Sequence, residues 1–137
     1  MKPLFSILFF LLCFTTAQAQ SDKEAVTQTI MDYMEGTAYG QPERIKRAFH
    51  KDLNLYAVAD GGLRIINGQQ YIGYFKEGEK RDRVGKIISI DIVNDAAMAK
   101  LEIDVPSRKQ LFTDYLLLLK LEEGWKIIHK SYTSEKY

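Results

Sequence analysis

The spacing of apolar residues changes from a helical period to a strand period along the chain. Between residues 26 and 37, apolar or small side chains recur every three or four positions, which predicts one buried face of an amphipathic helix. The segment SDKE at residues 21–24 has the form of a capping box at its start, and Gly40 is a natural stop. Pro42 then suits the first position of a short second helix.

Strand patterns account for most of the remaining chain. Residues 53–59 and 63–66 read as a short hairpin, and Asn67 opens a third helix whose pattern ends near Gly78. From residue 83 onward, apolar and polar residues alternate, which predicts long antiparallel strands at residues 86–93, 97–105, 111–121 and 125–133. Helices followed by a run of strands indicate the α+β class.

The first residues have the features of a cleaved secretory signal. A basic start is followed by an apolar run over residues 4–14, and AQA at residues 17–19 matches the pattern that signal peptidases recognise. The run is too short to span a hydrocarbon core of about 30 Å, and the leucine before Cys13 does not suit lipid attachment. We therefore expect residues 1–19 to be a signal peptide. Residues 20–137 should form one domain, exported to the periplasm or secreted, with no membrane association after cleavage.

Charge and cysteine content narrow the functional classes. The chain holds 19 Lys and Arg against 18 Asp and Glu, and removal of residues 1–19 takes away one basic residue and the single cysteine. Balanced charge argues against a nucleic-acid partner, which favours a basic excess. With no cysteine and only two histidines left, we expect no disulfide, no thiol nucleophile, no metal site and no cofactor. The charged run at residues 80–83 is predicted to be a solvated loop.

The pairing of the last two predicted strands determines which of their side chains face the core. If Leu121 pairs with Trp125 across a three-residue turn, Trp125 shares a core face with His129. The opposite face then carries Asp114 and Lys130. The apolar centre of that second face is formed by Leu116, Leu118 and Ile128. An apolar patch ringed by charge is typical of a subunit interface, so we predict a homodimer through the sheet, with coverage by the third helix as the alternative.

Four segments, in this order, resemble a known superfamily. They are MDYMEG at residues 31–36, IKRAFHKD at residues 45–52, DYLLLLK at residues 114–120 and WKIIHK at residues 125–130. Together they are similar to the nuclear transport factor 2-like superfamily, and within it to the SnoaL-like and "putative lumazine-binding" groups. The resemblance covers essentially the whole predicted domain.

The resemblance implies a cone-shaped α+β fold. In it a curved antiparallel sheet wraps around a long first helix, leaves a pocket at the wide end and commonly dimerises through its outer face. The superfamily includes ketosteroid isomerase, scytalone dehydratase and SnoaL cyclases, together with many proteins of no known activity. Membership alone therefore does not determine the function.

Four residues have side chains suited to chemistry. Tyr33 resembles the isomerase tyrosine that donates to a substrate oxygen, and its alternative is a core aromatic. His50 is either a general base or a histidine favoured by the end of a helix. His129 is either the polar group of the pocket or a core histidine bonded to backbone. Asp114 is either a proton shuttle in an apolar cavity or half of a surface ion pair with Lys130, and the register above places it outside.

Three functions stay open from the sequence. The first is a non-catalytic domain that binds a small, largely apolar or aromatic molecule in the cone. The second is an acid–base enzyme of the SnoaL or ketosteroid isomerase type, and the third is a protein-interaction module with a filled cone. The residues expected to bind the ligand are Tyr33, His50, Tyr56, Trp125 and His129. The catalytic candidates for the second function are Tyr33, His129 and Asp114.

Overall fold

Three helices and a six-stranded sheet make up the protein. The computed structural model describes the backbone of residues 4–137 and the side chains from residue 18 onward, so residues 1–3 and the side chains of the apolar run lie outside the described residues. The helices are α1 (Leu4–Tyr39), α2 (Pro42–Ala48) and α3 (Gly68–Ile72). The strands are β1 (Asn54–Ala59), β2 (Gly62–Asn67), β3 (Val84–Val93), β4 (Ala96–Val105), β5 (Gln110–Leu121) and β6 (Gly124–Lys136), with a 3-10 turn at Pro106–Arg108.

The sheet has the order β2-β1-β6-β5-β4-β3, and every neighbouring pair is antiparallel except β1 with β6. Its inner face packs on α1, whose buried stripe includes Val26, Ile30 and Tyr33. These residues follow the spacing of three and four that the sequence shows, and they meet inward residues of the long strands such as Leu101 and Ile127. The predicted α+β class, with a curved sheet wrapped around a long first helix, is confirmed.

Helix α1 runs without a break through the predicted cleavage site. The capping box expected at residues 21–24 does not start a helix in the full chain, because the preceding residues are helical as well and already bond to those N–H groups. Cleavage after Ala19 stays a prediction. Within the described part of the chain, no helix combines the length and apolar content needed to cross a membrane.

The end of α1 anchors the loop that leads into β3. Gly40 follows the helix with φ of 62°, a left-handed conformation that glycine adopts without steric cost. The Gly78 N–H donates to the Gly40 carbonyl at 2.8 Å, and the Arg81 N–H donates to the Ala38 carbonyl at 2.8 Å. The helix end therefore fixes the position of a loop that carries two arginines, Arg81 and Arg83, toward the open end of the cone.

The register of the hairpin formed by β5 and β6 differs from the predicted register by a single residue. Leu121 pairs with Gly124 across a two-residue turn, and Trp125 pairs with Lys120. Successive strand residues point to opposite faces, so this shift turns the whole of β5 over. Its inward residues are Asp114, Leu116 and Leu118, each 1% exposed. The predicted outward position of these three side chains is wrong.

A β-bulge then reverses the facing of β6. Leu118 pairs with Ile127 and Leu117 pairs with His129, so Ile128 is an extra residue with no partner of its own. Trp125 and Ile127 are inward as predicted. Beyond the bulge the order changes: Lys130 is 3% exposed and inward, whereas His129 lies on the outer face.

Replacement of Gly40 by alanine should destabilise the fold more than the same change at Gly61. Both glycines have positive φ, which costs alanine about 1–2 kcal/mol. A Cβ on Gly61 meets nothing within 4 Å, whereas one on Gly40 would lie 2.5 Å from the backbone of Lys76 and Glu79. Urea unfolding should therefore show an additional loss of about 1–3 kcal/mol for Gly40→Ala. Equal losses would contradict the anchoring of this loop.

Candidate functional site

Three polar side chains meet inside the apolar cone. Tyr33 comes from the middle of α1, Asp114 from β5 and Lys130 from β6, and all three are buried. Lys130 lies opposite Leu116 and Asp114 lies opposite Tyr132, so the ion pair crosses the hairpin diagonally. The diagonal relation agrees with the expectation from the sequence, but its location inside the cone does not.

Both partners of Asp114 bond to the same carboxylate oxygen. The Tyr33 hydroxyl donates to Oδ2 at 2.7 Å, and Lys130 Nζ donates to Oδ2 at 2.7 Å. Lys130 Nζ also donates to the Tyr33 hydroxyl oxygen. The second oxygen, Oδ1, is buried and accepts no hydrogen bond from the described residues. The carboxylate therefore retains an unused acceptor in the protein interior.

The Lys130 ammonium is held by aromatic faces as well as by the carboxylate. Its Nζ lies 4.7 Å from the ring centre of Tyr33, 5.2 Å from that of Tyr132 and 5.4 Å from that of Tyr71. An ammonium has three N–H donors, and Asp114 and Tyr33 use two of them. The third has no acceptor among the described residues.

Burial determines the protonation of Tyr33. Removal from water, followed by the nearby Asp114 carboxylate, raises the pKa of the Tyr33 hydroxyl well above its usual value near 10. The phenol is therefore neutral at physiological pH and acts as a hydrogen-bond donor. The site holds one positive and one negative charge in close contact, linked by a neutral hydroxyl.

A cavity of about 310 Å³ borders Lys130. Asp114 and Tyr33 lie behind the lysine and do not reach its surface, so Lys130 is the member of the group that faces the cavity. The aromatic residues that line the cavity are Tyr71, Tyr74, Phe75, Phe112 and Tyr132. Its remaining charged groups are Arg81, Arg83 and Arg108. This is an inner cavity with aromatic walls and a cationic rim.

Two of the predicted binding residues lie on the opposite side of the sheet. His129 stacks on Tyr56 with ring centres 4.9 Å apart, and its Nε2 is 2.7 Å from the Ser131 hydroxyl. Both rings belong to the outer face, where His129 also borders a groove of about 380 Å³. The bulge at Ile128 is the reason, because it changes which face the following residues occupy. The expectation that His129 is inside the pocket is wrong.

The other three predicted binding residues, Tyr33, His50 and Trp125, do not border the cavity either. His50 follows α2, where its Nδ1 accepts a hydrogen bond from the Asp52 N–H at 3.3 Å. Trp125 is buried at the start of β6, and its Nε1 donates to Asp22 at 3.2 Å. Neither side chain borders the cavity with aromatic walls. Of the residues singled out in the sequence, the structure brings together Tyr33, Asp114 and Lys130.

Several site residues carry no clear signal in the sequence. Tyr71 has the spacing of a core residue of α3, and Tyr132 follows a bulge that alternation alone does not reveal. Arg81 and Arg83 belong to the charged run predicted to be solvated, yet Arg83 is partly buried and its Nε lacks an acceptor among the described residues. An arginine just before a strand, among aromatic residues, was the available hint. No grouping of His, Cys, Asp and Glu suited to a metal ion occurs among the described side chains.

Sequence comparison places the chain in a family. A profile of the family described as "Putative lumazine-binding" matches residues 21–133, so the chain belongs to that family. The protein named Aldolase FrzH, from Cladobotryum sp., is 28% identical over 117 residues, which cover 83% of this chain and 92% of that protein.

Solved structures share the fold. A nuclear transport factor 2-like protein of unknown function from Shewanella baltica has a TM-score of 0.75 at 25% identity, over 85% of this chain and 96% of that chain. A protein described as a putative ketosteroid isomerase, from Shewanella frigidimarina, has a TM-score of 0.61 at 14% identity, over 80% of this chain and 94% of that chain. The membership in the nuclear transport factor 2-like superfamily that the sequence predicts is confirmed.

Removal of one partner of the buried ion pair should cost far more than removal of both charges. Lys130→Met leaves the buried Asp114 carboxyl without its cationic partner, so the free energy of unfolding of this variant should fall by about 3–5 kcal/mol in urea titrations. Asp114→Asn combined with Lys130→Met should recover a large part of that loss. Lys136→Met, at an exposed position, is the matched control and should change stability by less than about 0.5 kcal/mol. Additive losses in the double variant would contradict the pairing.

Proposed function

We propose that this member of the putative lumazine-binding family binds a small, largely apolar or aromatic molecule that carries a carbonyl oxygen. The observation that supports this most is the Lys130 ammonium at the end of the inner cavity, with two of its donors already used and one left. In an apolar surrounding, a single charged donor orients a ligand strongly because water competes little with it. Binding without catalysis is the primary form of the proposal.

The size and walls of the cavity support the same class of ligand. A volume of about 310 Å³ is at the small end of ligand pockets and suits one ring system. Tyr71, Phe112 and Tyr132 present ring faces and edges that favour aromatic contact. The lysine is held in place by Asp114 and the tyrosines, so little conformational freedom is lost when a ligand accepts its remaining hydrogen bond.

The preference for a ligand with a carbonyl oxygen can be measured by comparing the affinities of two compounds of similar shape. Acetophenone should bind about tenfold or more tightly than ethylbenzene, because it accepts a hydrogen bond from a charged donor. The variant with both Asp114→Asn and Lys130→Met should lose that preference but still bind ethylbenzene. Titrations followed by NMR give both affinities. Equal affinity of the native protein for the two compounds would contradict the role of Lys130.

A second candidate is proton transfer next to a carbonyl group. It is favoured by the free Oδ1 of Asp114 beside the Lys130 donor, and by the relative named an aldolase, since aldol chemistry starts with removal of such a proton. In this step the C–H bond breaks and the proton passes through one bridging water to Oδ1 of Asp114, because the carboxylate itself does not border the cavity. The electron pair moves onto the carbonyl oxygen, where Lys130 stabilises the enolate. His129, on the outer face, has no part in it.

Catalysis of this kind has a direct readout in heavy water. The native protein should accelerate exchange of the acetophenone methyl protons for deuterium, and Asp114→Asn should abolish the acceleration. His129→Ala is the matched control and should keep it, because that ring faces away from the cavity. No acceleration by the native protein would leave binding alone as the function.

Export and dimerisation belong to the same proposal. The signal features of residues 1–19 support export, to the periplasm or to the medium. Dimerisation is supported by the outer face, although by other residues than those predicted, because Leu116 and Leu118 are in the core. The outer face instead exposes Met98, Tyr115 and Leu117 at 57%, 50% and 46%. Three neighbouring large side chains of this kind are typical of an interface.

Native mass spectrometry of the protein recovered from an exporting host tests both properties. We expect a chain that begins at residue 20 and a dimer that Leu117→Glu converts to a monomer. Tyr39→Glu changes a side chain of similar exposure on α1 and should leave the dimer intact. A native monomer would contradict the interface, and a mass that includes residues 1–19 would contradict cleavage.

A further inference from the structure

Three guanidinium groups meet at the mouth of the inner cavity. Arg81, Arg83 and Arg108 border the cavity that contains Lys130, and the same three border a second cavity of about 390 Å³ on the outer side of the mouth. The two cavities therefore share one cationic boundary. Arginine keeps its charge at any physiological pH, so this boundary carries three positive charges.

Aromatic and backbone contacts hold the arginines toward the mouth. The Arg81 guanidinium lies 4.6 Å over the Phe75 ring and donates to the Tyr74 carbonyl. Arg83 lies 5.9 Å from the Phe75 ring centre and 6.0 Å from that of Phe112. The main chain of the same loop is tied to the end of α1, so these positions do not depend on the side chains alone.

The positive charges are only partly compensated: the buried Asp114 carboxylate acts on Arg83, and Asp82 acts on Arg108. Among the described side chains, no carboxylate borders the inner cavity and none forms an ion pair within 4.0 Å with any of the three arginines. The second cavity includes Glu79 and Asp82. Asp82 accepts from the Ser107 N–H at 2.6 Å and from its hydroxyl at 2.9 Å. These hydrogen bonds and, to a smaller extent, the Arg108 guanidinium lower the pKa of the Asp82 carboxyl, so it stays ionised and offsets part of the charge of Arg108.

The Arg83 guanidinium borders both cavities. Its Nε is buried and has no acceptor among the described residues. Because Nε is closed off from both cavities, a ligand would instead meet the terminal N–H groups of this side chain, which carry most of the five guanidinium donors. A carboxylate or phosphate matches the planar fork of a guanidinium and accepts two hydrogen bonds from it at once.

We propose that the ligand carries an anionic group, a carboxylate or a phosphate monoester, which Arg83 binds with Arg81 and Arg108 at the cavity mouth while the aromatic body lies inside. This rests on the proposed ligand-binding function and specifies its ligand class. The arrangement separates two tasks: Lys130 contacts an oxygen at the inner end of the molecule, and the arginines contact the charge at the outer end.

The test compares three compounds that share one ring. Benzoate and phenyl phosphate should each bind at least about tenfold more tightly than benzamide, which has the same ring but no charge. Arg83→Gln should weaken the binding of both anions about tenfold or more and leave benzamide within about twofold. Arg83→Lys should retain part of the anion preference, since it keeps the charge but not the fork. Arg47→Gln, at an exposed arginine of α2, is the matched control and should change none of the three.

The outcomes separate this inference from the proposed function. Equal binding of the anions and benzamide would overturn the anionic group and leave the cavity as a ligand site. Weakening of all three compounds by Arg83→Gln would also overturn it, because that result indicates a damaged fold or a purely structural residue. Binding of none of the three would overturn both proposals. A preference for only one of the two anions supports the inference and identifies the group.

Discussion

The structure depends on a charged pair held in an apolar interior. Lys130 and Asp114 are almost inaccessible to water, and each would be strongly unfavourable there without the other. Tyr33 joins them across 81 residues of sequence from Asp114, so the pair connects the central helix to the two strands that face it. The remaining packing of the cone is apolar and tolerates small displacements. The hydrogen bonds among Lys130, Asp114 and Tyr33 do not tolerate such displacements, because they need specific distances and directions.

The cavity follows from this arrangement. A core filled completely by apolar residues would leave no polar group at the wide end, whereas here the ammonium faces a space with aromatic walls. The loop beyond α3 completes that space, because its backbone is bonded to the last turn of α1 and its arginines border the mouth. The same helix therefore supplies a partner for the buried pair and an anchor for the mouth. Binding residues are placed by rigid elements on one side and by a fixed loop on the other.

Most of the fold could be predicted from the sequence, but the location of the buried pair could not. The turn at Asn94 and the helix N-cap at Asn67 carry strong local signals, and the alternation of β4 identifies its inward face correctly. The last hairpin carries a weaker signal. The turn is one residue shorter than predicted, which exchanges the inward and outward side chains of β5, and the bulge at Ile128 does the same for the part of β6 that follows it. Apolar residues on both faces of β5 give no pattern that distinguishes the two registers, so the sequence alone predicts an outward Asp114.

Direct observation of the Lys130 ammonium tests the central claim best. In protein labelled with 15N at lysine, a buried ammonium bonded to a carboxylate exchanges its protons slowly and gives a separate NMR signal under mildly alkaline conditions. We predict one such signal, absent from the variant that carries both Asp114→Asn and Lys130→Met, while the signals of exposed lysines are lost to solvent exchange. If every lysine signal were lost together, or if the slow signal survived in that variant, Lys130 would not be the buried, paired cation on which this account depends.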